Sequence, residues 1–244
     1  MSLSGATFLR GAGLITAALT LWAAEAAATG TLSGTVRADQ AAARGKPLPI
    51  VKDAAVCGKQ VPNETLLLAP DRGLANVVVS IKGLKAPAPP PPVANAAIDQ
   101  VGCRYIPHVQ ALTVGTKLSL MNSDAVLHNV HAVATGPTPA TIFNVAMPFK
   151  GQKLPTTLRR TGIMKVRCDA GHDWMSAYVA VFDHPYFAVT DEKGRFSIAN
   201  VPAGEHQIEL WHEPIAPNGP PLLQSLTVRI SDGKVTESEP VLKL

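Results

Sequence analysis

Charge is scarce in this chain of 244 residues: 16% are Asp, Glu, Lys or Arg, against roughly 25% in an ordinary soluble domain. Helical bundles need a charged solvent face on each helix, so that architecture matches poorly. The 22 Lys and Arg exceed the 18 Asp and Glu by little and are scattered. They form no basic stripe for phosphates, which argues against nucleic-acid binding. Aromatic residues are few, with 3 Trp, 3 Tyr and 6 Phe, so a carbohydrate platform of exposed rings has thin support. No Ser/His/Asp constellation and no glycine-rich phosphate loop is evident. Beyond residue 28 no apolar run long enough to span a bilayer escapes interruption by Pro, Gly or charge.

Proline and glycine, by contrast, are plentiful at 21 and 19, and they punctuate short β-branched runs. Such runs are Leu32–Arg37, Val77–Ile81, Val109–Val114, Lys117–Met121, Ile163–Cys168, Tyr178–Phe182, Arg195–Ile198, Gln207–Trp211 and Leu226–Ile230. Short strands between turn residues, without a long helical period, predict an all-β protein of sandwiches or barrels. The proline-rich segment Ala86–Ala97 reads as a semi-rigid extended connector that marks a domain boundary.

At the start, a cation at Arg10, an apolar run over Gly11–Ala24 and small residues at Ala26–Ala28 read as a cleaved export signal of residues 1–28. An uncleaved N-terminal anchor is the alternative. Export to a periplasmic or extracellular space lets thiols oxidise, and three cysteines then leave one over. Cys57 and Cys103 each adjoin a glycine, while Cys168 sits among metal-ligand residue types. The expected pair is therefore Cys57–Cys103, with Cys168 free.

The strongest chemical signal is the run from Cys168 to Met175, where three residues separate Cys168 from His172 and two separate His172 from Met175. Two imidazoles, one thiolate and a weak thioether make a blue-copper ligand set. His128 is the candidate second imidazole. Met164, Val166 and Cys168 share one strand face by the period-2 rule, which turns the thiol inward.

Together with Val114–Gly115, Asn122, Asp124 and His128–Asn129, this loop resembles the cupredoxin pattern over Tyr105–Phe182, about 80 residues. The Cys-to-His spacing is one longer than in plastocyanin and amicyanin, and the His-to-Met spacing is similar to amicyanin's. The loop also resembles half of a dinuclear copper loop, but Met164 stands where that site needs a second Cys. The resemblance implies one copper per chain, held by His128, Cys168, His172 and Met175, with Asn129 restraining the loop behind the thiolate. His108 is a further candidate ligand or a hydrogen-bonded strand histidine. His131 is expected on the strand face opposite His128, Asp169 and Asp173 in turns, Trp174 over the metal or against a partner, His184 in a structural role, and His206 and His212 as exposed strand residues. Arg159, Arg160, Lys165 and Arg167 form a solvated face or steer an acidic partner.

The flanks resemble something else. Ser33–Arg37 with Leu74–Gly83, and then Thr190–Leu210, look like the two halves of a carboxypeptidase regulatory-like, transthyretin-type sandwich. The expected architecture is a Greek-key cupredoxin sandwich (86–186) inserted into this second sandwich (29–85 and 187–244). Two consecutive domains remain the alternative.

The resemblance implies single-electron transfer, with His172 on the end loop as the exit path. The implied partners are a periplasmic cytochrome c or a quinoprotein dehydrogenase, as in methylamine utilisation, and no enzyme activity is expected. Seven His without a His-x-His pair exclude a multicopper oxidase. Copper storage, delivery or sensing is the rival reading, although five Met are few for it; an exported binding module is another.

Overall fold

A computed structural model describes residues 28–85, 90–216 and 219–244. Except for Ala28, the expected signal segment lies outside them, as do residues 86–89 of the connector.

Strands β1 (Thr29–Thr35), β2 (Arg37–Ala38) and β3 (Leu48–Pro49) precede a helical turn, α1 (Ala54–Cys57), followed by β4 (Gln60–Val61) and β5 (Val78–Ile81). The central part carries β6 (Ala97–Gln100), β7 (Tyr105–Ile106), β8 (Val109–Thr113), β9 (Lys117–Asn122), β10 (His128–Ala134), β11 (Thr141–Met147), β12 (Gln152–Thr157), β13 (Gly162–Arg167) and β14 (Ser176–Phe182). After it come β15 (Phe187–Val189), β16 (Arg195–Pro202), β17 (Gly204–His212), β18 (Leu222–Ile230), β19 (Val235–Ser238) and β20 (Val241–Leu242). The class is all-β, as the composition and turn spacing predict.

The central strands form two facing sheets, ordered β11-β10-β13-β14-β8 and β12-β9-β6-β7. Alternating residues such as Leu118, Leu120, Val130, Ala132, Val166 and Val179 meet between them in one buried cluster. Period-2 alternation puts one side of each strand into that core and leaves the other outside.

Strands from the two ends of the chain share the remaining large sheets. β1 pairs antiparallel with β16, Ser33 opposite Ser197, and parallel with β19. β5 lies between β15 and β17, with Val79 opposite both Ala188 and Leu210. A second core, including Leu32, Val79, Ile198 and Leu210, fills the space between these sheets.

The two sandwiches abut along a third cluster, where Val109, Tyr178 and Ala180 meet Val78 and Trp211. This contact explains why β14 is buried at five consecutive positions from Ala177 to Val181. One face enters the central core and the other is covered by the neighbouring sandwich, so alternation gives way to a continuous apolar run.

The connector ends sooner than expected, because Ala97 opens β6 and pairs with Ser119 of β9. Pro91 O accepts the Thr113 hydroxyl at 3.0 Å, and the Val93 N–H donates to Thr116 Oγ1 at 3.0 Å. These bonds fasten the connector to the central sandwich. β12 is missing from the sequence reading because it contains Pro155; it lies on a sheet edge, where a residue without an N–H is tolerated.

Candidate metal centre

Cys168 follows directly on β13, and its strand partners Met164 and Val166 are buried. The same alternation buries the thiol, which is 4% exposed. His128 opens β10, next to β13, and His172 lies on the loop between β13 and β14. The donor atoms of His128, Cys168 and His172 all lie within 4.8 Å of one another. His128 Nδ1 faces His172 Nδ1 at 3.0 Å, and His172 Nδ1 is 3.5 Å from Cys168 Sγ.

Each imidazole is held from behind by a carboxylate. His128 Nε2–H donates to Asp124 Oδ2 at 3.1 Å, and His172 Nε2–H donates to Asp53 Oδ2 at 2.9 Å. Protonation at Nε2 leaves the Nδ1 lone pairs directed at the shared space, which fixes the tautomer a metal requires. Asp124 is itself fixed, because its oxygens accept the N–H groups of Gly102 and Cys103 at 2.8 Å each. Its own N–H donates to Asn122 Oδ1 at 3.0 Å. Burial, the first influence on His128, and the nearby His172 hold its imidazole below its ordinary pKa despite Asp124, which favours the neutral, ligating form.

Met175 is 2% exposed and shares the buried core that contains Cys168. Its N–H donates to His172 O at 2.9 Å, which closes the loop into a tight turn. Asn129 links two segments behind the thiol: its Oδ1 accepts the Asp169 N–H at 2.5 Å and its Nδ2 donates to Asn144 Oδ1 at 2.6 Å. Trp174 packs on His172, with ring centroids 5.1 Å apart, and donates to Cys103 O at 3.0 Å. Tyr105 donates to Asn129 O; burial, with the Cys168 thiol next to it, pushes its hydroxyl pKa well up.

The expected Cys57–Cys103 disulfide is formed, with Cα atoms 5.3 Å apart, and Cys168 is free. Cys103, Asp124 and His128 also converge, but the Cys103 sulfur is committed to the disulfide and offers no thiolate. His108 stands apart from the centre, bonded through Nε2 to Glu213 and through Nδ1 to Ser176 O at 3.1 Å. His131 faces away from His128 and pairs with Asp169 at 2.6 Å and Thr141 Oγ1 at 2.9 Å. Burial works upward on Asp169, yet the hydrogen bond from His131 and the charges of His131 and Arg167 keep its carboxyl below the usual range. His184 is buried, stacked on Tyr186. Arg159, Arg160, Lys165 and Arg167 are all exposed.

Two expectations are corrected. Of the two histidines expected as exposed strand residues, His206 is half-buried and bonded to Pro202 O at 2.7 Å, and His212 is 1% exposed, because β17 turns that end into the seam between the sandwiches. His172, expected as the exit path on the end loop, is 0% exposed, because the segment carrying Asp53 lies across it. The sequence pattern contains Asp124 but assigns it no role behind His128, and it gives no role to Asp53 or Glu213. Asp124 had a signal, as a carboxylate four residues before a candidate ligand; Asp53 had none, being 119 residues from His172.

Neither the protein-family models nor the curated proteins include a match to this chain. Solved structures similar to part of it include a purple cupredoxin, amicyanin variants and a copper-containing nitrite reductase. A purple cupredoxin from Nitrosopumilus maritimus is 24% identical, with 36% of this chain and 100% of that one covered and a TM-score of 0.32. A reduced amicyanin variant is 23% identical over 43% of this chain and 98% of that one, TM-score 0.32. A copper-containing nitrite reductase from Thermus scotoductus is 22% identical over 41% of this chain and 28% of that one, TM-score 0.30.

Proposed function

We propose that the chain is an exported copper protein that holds one ion between His128, Cys168 and His172, with Met175 as the weak axial donor, and passes single electrons between redox partners. The observation that carries this reading is the convergence of two imidazole Nδ1 atoms on a buried free thiol, each imidazole fixed by a carboxylate at Nε2. Two nitrogens, one thiolate and a thioether are a donor set that suits copper in both oxidation states. Copper bound there would supply one-electron chemistry between Cu(I) and Cu(II).

The residues of this chain do the rest. Asp124 and Asp53 set the tautomers, Asn129 holds the backbone next to the thiolate, and the surrounding core buries all four candidate ligands. Ligands supplied wholly by a rigid protein favour a carrier over a catalyst, since no ligand position is kept for substrate. The disulfide supports an oxidising compartment, in accord with a periplasmic or secreted protein. A c-type cytochrome or quinoprotein dehydrogenase is the partner class. We read residues 29–85 and 187–244 as one regulatory-like sandwich that hosts the copper domain, a reading supported by the sheets they share. Among the described residues no helix is long and apolar enough to cross a membrane.

Copper titration of the chain lacking residues 1–28, followed by visible and electron paramagnetic resonance spectra, tests the reading. One copper per chain with an intense thiolate-to-copper absorption, lost in Cys168→Ser, is expected; a colourless chain, or equal binding by the variant, overturns it. Copper held for storage or delivery is the second reading, favoured by the full burial of His172. Slow electron exchange by a coloured, copper-loaded chain would select it.

A further inference from the structure

Residues 48–61 form a hairpin in which β3 and β4 pair, Leu48 opposite Val61, with α1 at the tip. The tip lies on the ligand loop. Lys52 Nζ donates to Ala170 O at 2.5 Å, and the Lys52 stem covers Gly171, where an added Cβ would stand 3.1 Å from Lys52 Cδ. Asp53 reaches past it to His172 Nε2.

Three features hold Asp53 in place. Its backbone is left-handed at φ 52, a conformation Asp tolerates better than most residues. Its carbonyl accepts the N–H groups of Val56 and Cys57 at 2.9 Å each. Cys57, four residues on, is joined covalently to Cys103, whose carbonyl accepts from the Trp174 indole beside His172. Farther back, Arg104 bridges Glu64 at 3.1 Å. An element remote in sequence is thus bound covalently beside the centre, with its one carboxylate on the Nε2 edge of His172.

We propose that Asp53 is a positioning residue for His172, and that the disulfide-anchored hairpin 48–61 seals the imidazole edge of the metal centre from solvent and from direct partner contact. The positioning role rests on the copper reading; the seal does not. Asp124 and Asp53 play matching parts, but Asp124 is built into the turn before its histidine whereas Asp53 arrives on a separate clamp. Opening the clamp therefore exposes one imidazole and leaves the other buried. Direct docking on His172, as the sequence suggested, is blocked, since its side chain is 0% exposed beneath the hairpin.

Two readouts test this. Carbethoxylation of the metal-free chain by diethyl pyrocarbonate, followed by mass spectrometry, reports each histidine separately. In the wild type His172 should react at least tenfold more slowly than the half-buried His206; Asp53→Ala and Cys57→Ser/Cys103→Ser should raise the His172 rate about tenfold and leave His128 unchanged. Asp53→Asn, which keeps an acceptor oxygen, should restore most of the protection. If both histidines rise together in the double variant through unfolding, Asp53→Ala with its disulfide intact decides. A wild-type His172 as reactive as His206, or no rise in Asp53→Ala, overturns the seal.

For positioning, Asp53→Ala should lose roughly 10- to 100-fold in copper affinity, the range for a residue that orients a ligand. It should also change the copper resonance spectrum, and Asp53→Asn should recover part of both. An unchanged affinity and spectrum overturn the positioning role. A wild type that binds no copper overturns the metal reading and this role with it, while the seal is still decided by the labelling.

Discussion

Glu213 and His108, 105 residues apart, meet at the seam between the two sandwiches and form a buried ion pair, their side chains 5% and 7% exposed. Burial alone would lower the His108 pKa, but Glu213, with a smaller contribution from Glu64 and the Ser176 carbonyl, raises it above its ordinary value. The neighbouring His212 is pushed the other way, by burial first. Because the folded-state pKa of His108 is raised, the pair's stabilisation is complete below about pH 6.5 and is lost as pH rises through the raised value.

Glu213→Gln should therefore destabilise the protein by about 3 kcal/mol at pH 6 and by much less at pH 9. Denaturant midpoints of wild type and variant across that range check this. An equal difference at both pH values would contradict the assignment of the charged form to His108.

Cys57→Ser/Cys103→Ser removes a cross-link closing a separation of 46 residues. On chain-entropy grounds the loss is about 4 kcal/mol, read as a fall in the urea midpoint. A loss below about 1 kcal/mol would mean that the hairpin is held by its other contacts.

Asn129→Ala leaves the Asp169 N–H and Asn144 Oδ1 without their partner, while Asn144 Nδ2 keeps its bond to Asp169. A cost of about 1–2 kcal/mol is expected, together with a shifted thiolate-to-copper absorption in the loaded protein, since the freed N–H lies next to Cys168. A stability loss with an unmoved spectrum would restrict Asn129 to a structural role.

Gly34→Ala tests the outer sandwich. Gly34 pairs with Ser238 in the parallel β1–β19 ladder, and an added Cβ would stand 1.7 Å from Ser238 O. Backbone must move, so a loss of about 3 kcal/mol is expected, measured by thermal or urea unfolding. A neutral result would contradict this register.

Much of the centre was legible because its chemistry is compact in sequence. Cys168, His172 and Met175 lie within eight residues, and alternation along β13 was enough to turn the thiol inward. The disulfide was legible from the count and surroundings of three cysteines. Among the central strands, β6, β7, β10, β11 and β12 do not show in the sequence pattern; β6 and β7 have only four and two residues, too few to display a period. β11 is half exposed, β12 carries Pro155, and β10 mixes histidine and asparagine with its apolar residues, so none gives a clean period. His212 was misjudged because alternation assigns a face but does not say what covers it.

By itself, the sequence determined the all-β class, the cysteine pairing and the grouping of thiol, imidazole and thioether on one loop, since these follow from composition and local spacing. Only the tertiary structure decided which carboxylates stand behind the two imidazoles, that His108 serves the seam, and that His172 lies under a hairpin from the beginning of the chain. The physical reason is that local periodicity acts over a few residues. The Asp53–His172 and His108–Glu213 contacts span 119 and 105 residues and exist only once the sheets have paired and the disulfide has set one segment over another.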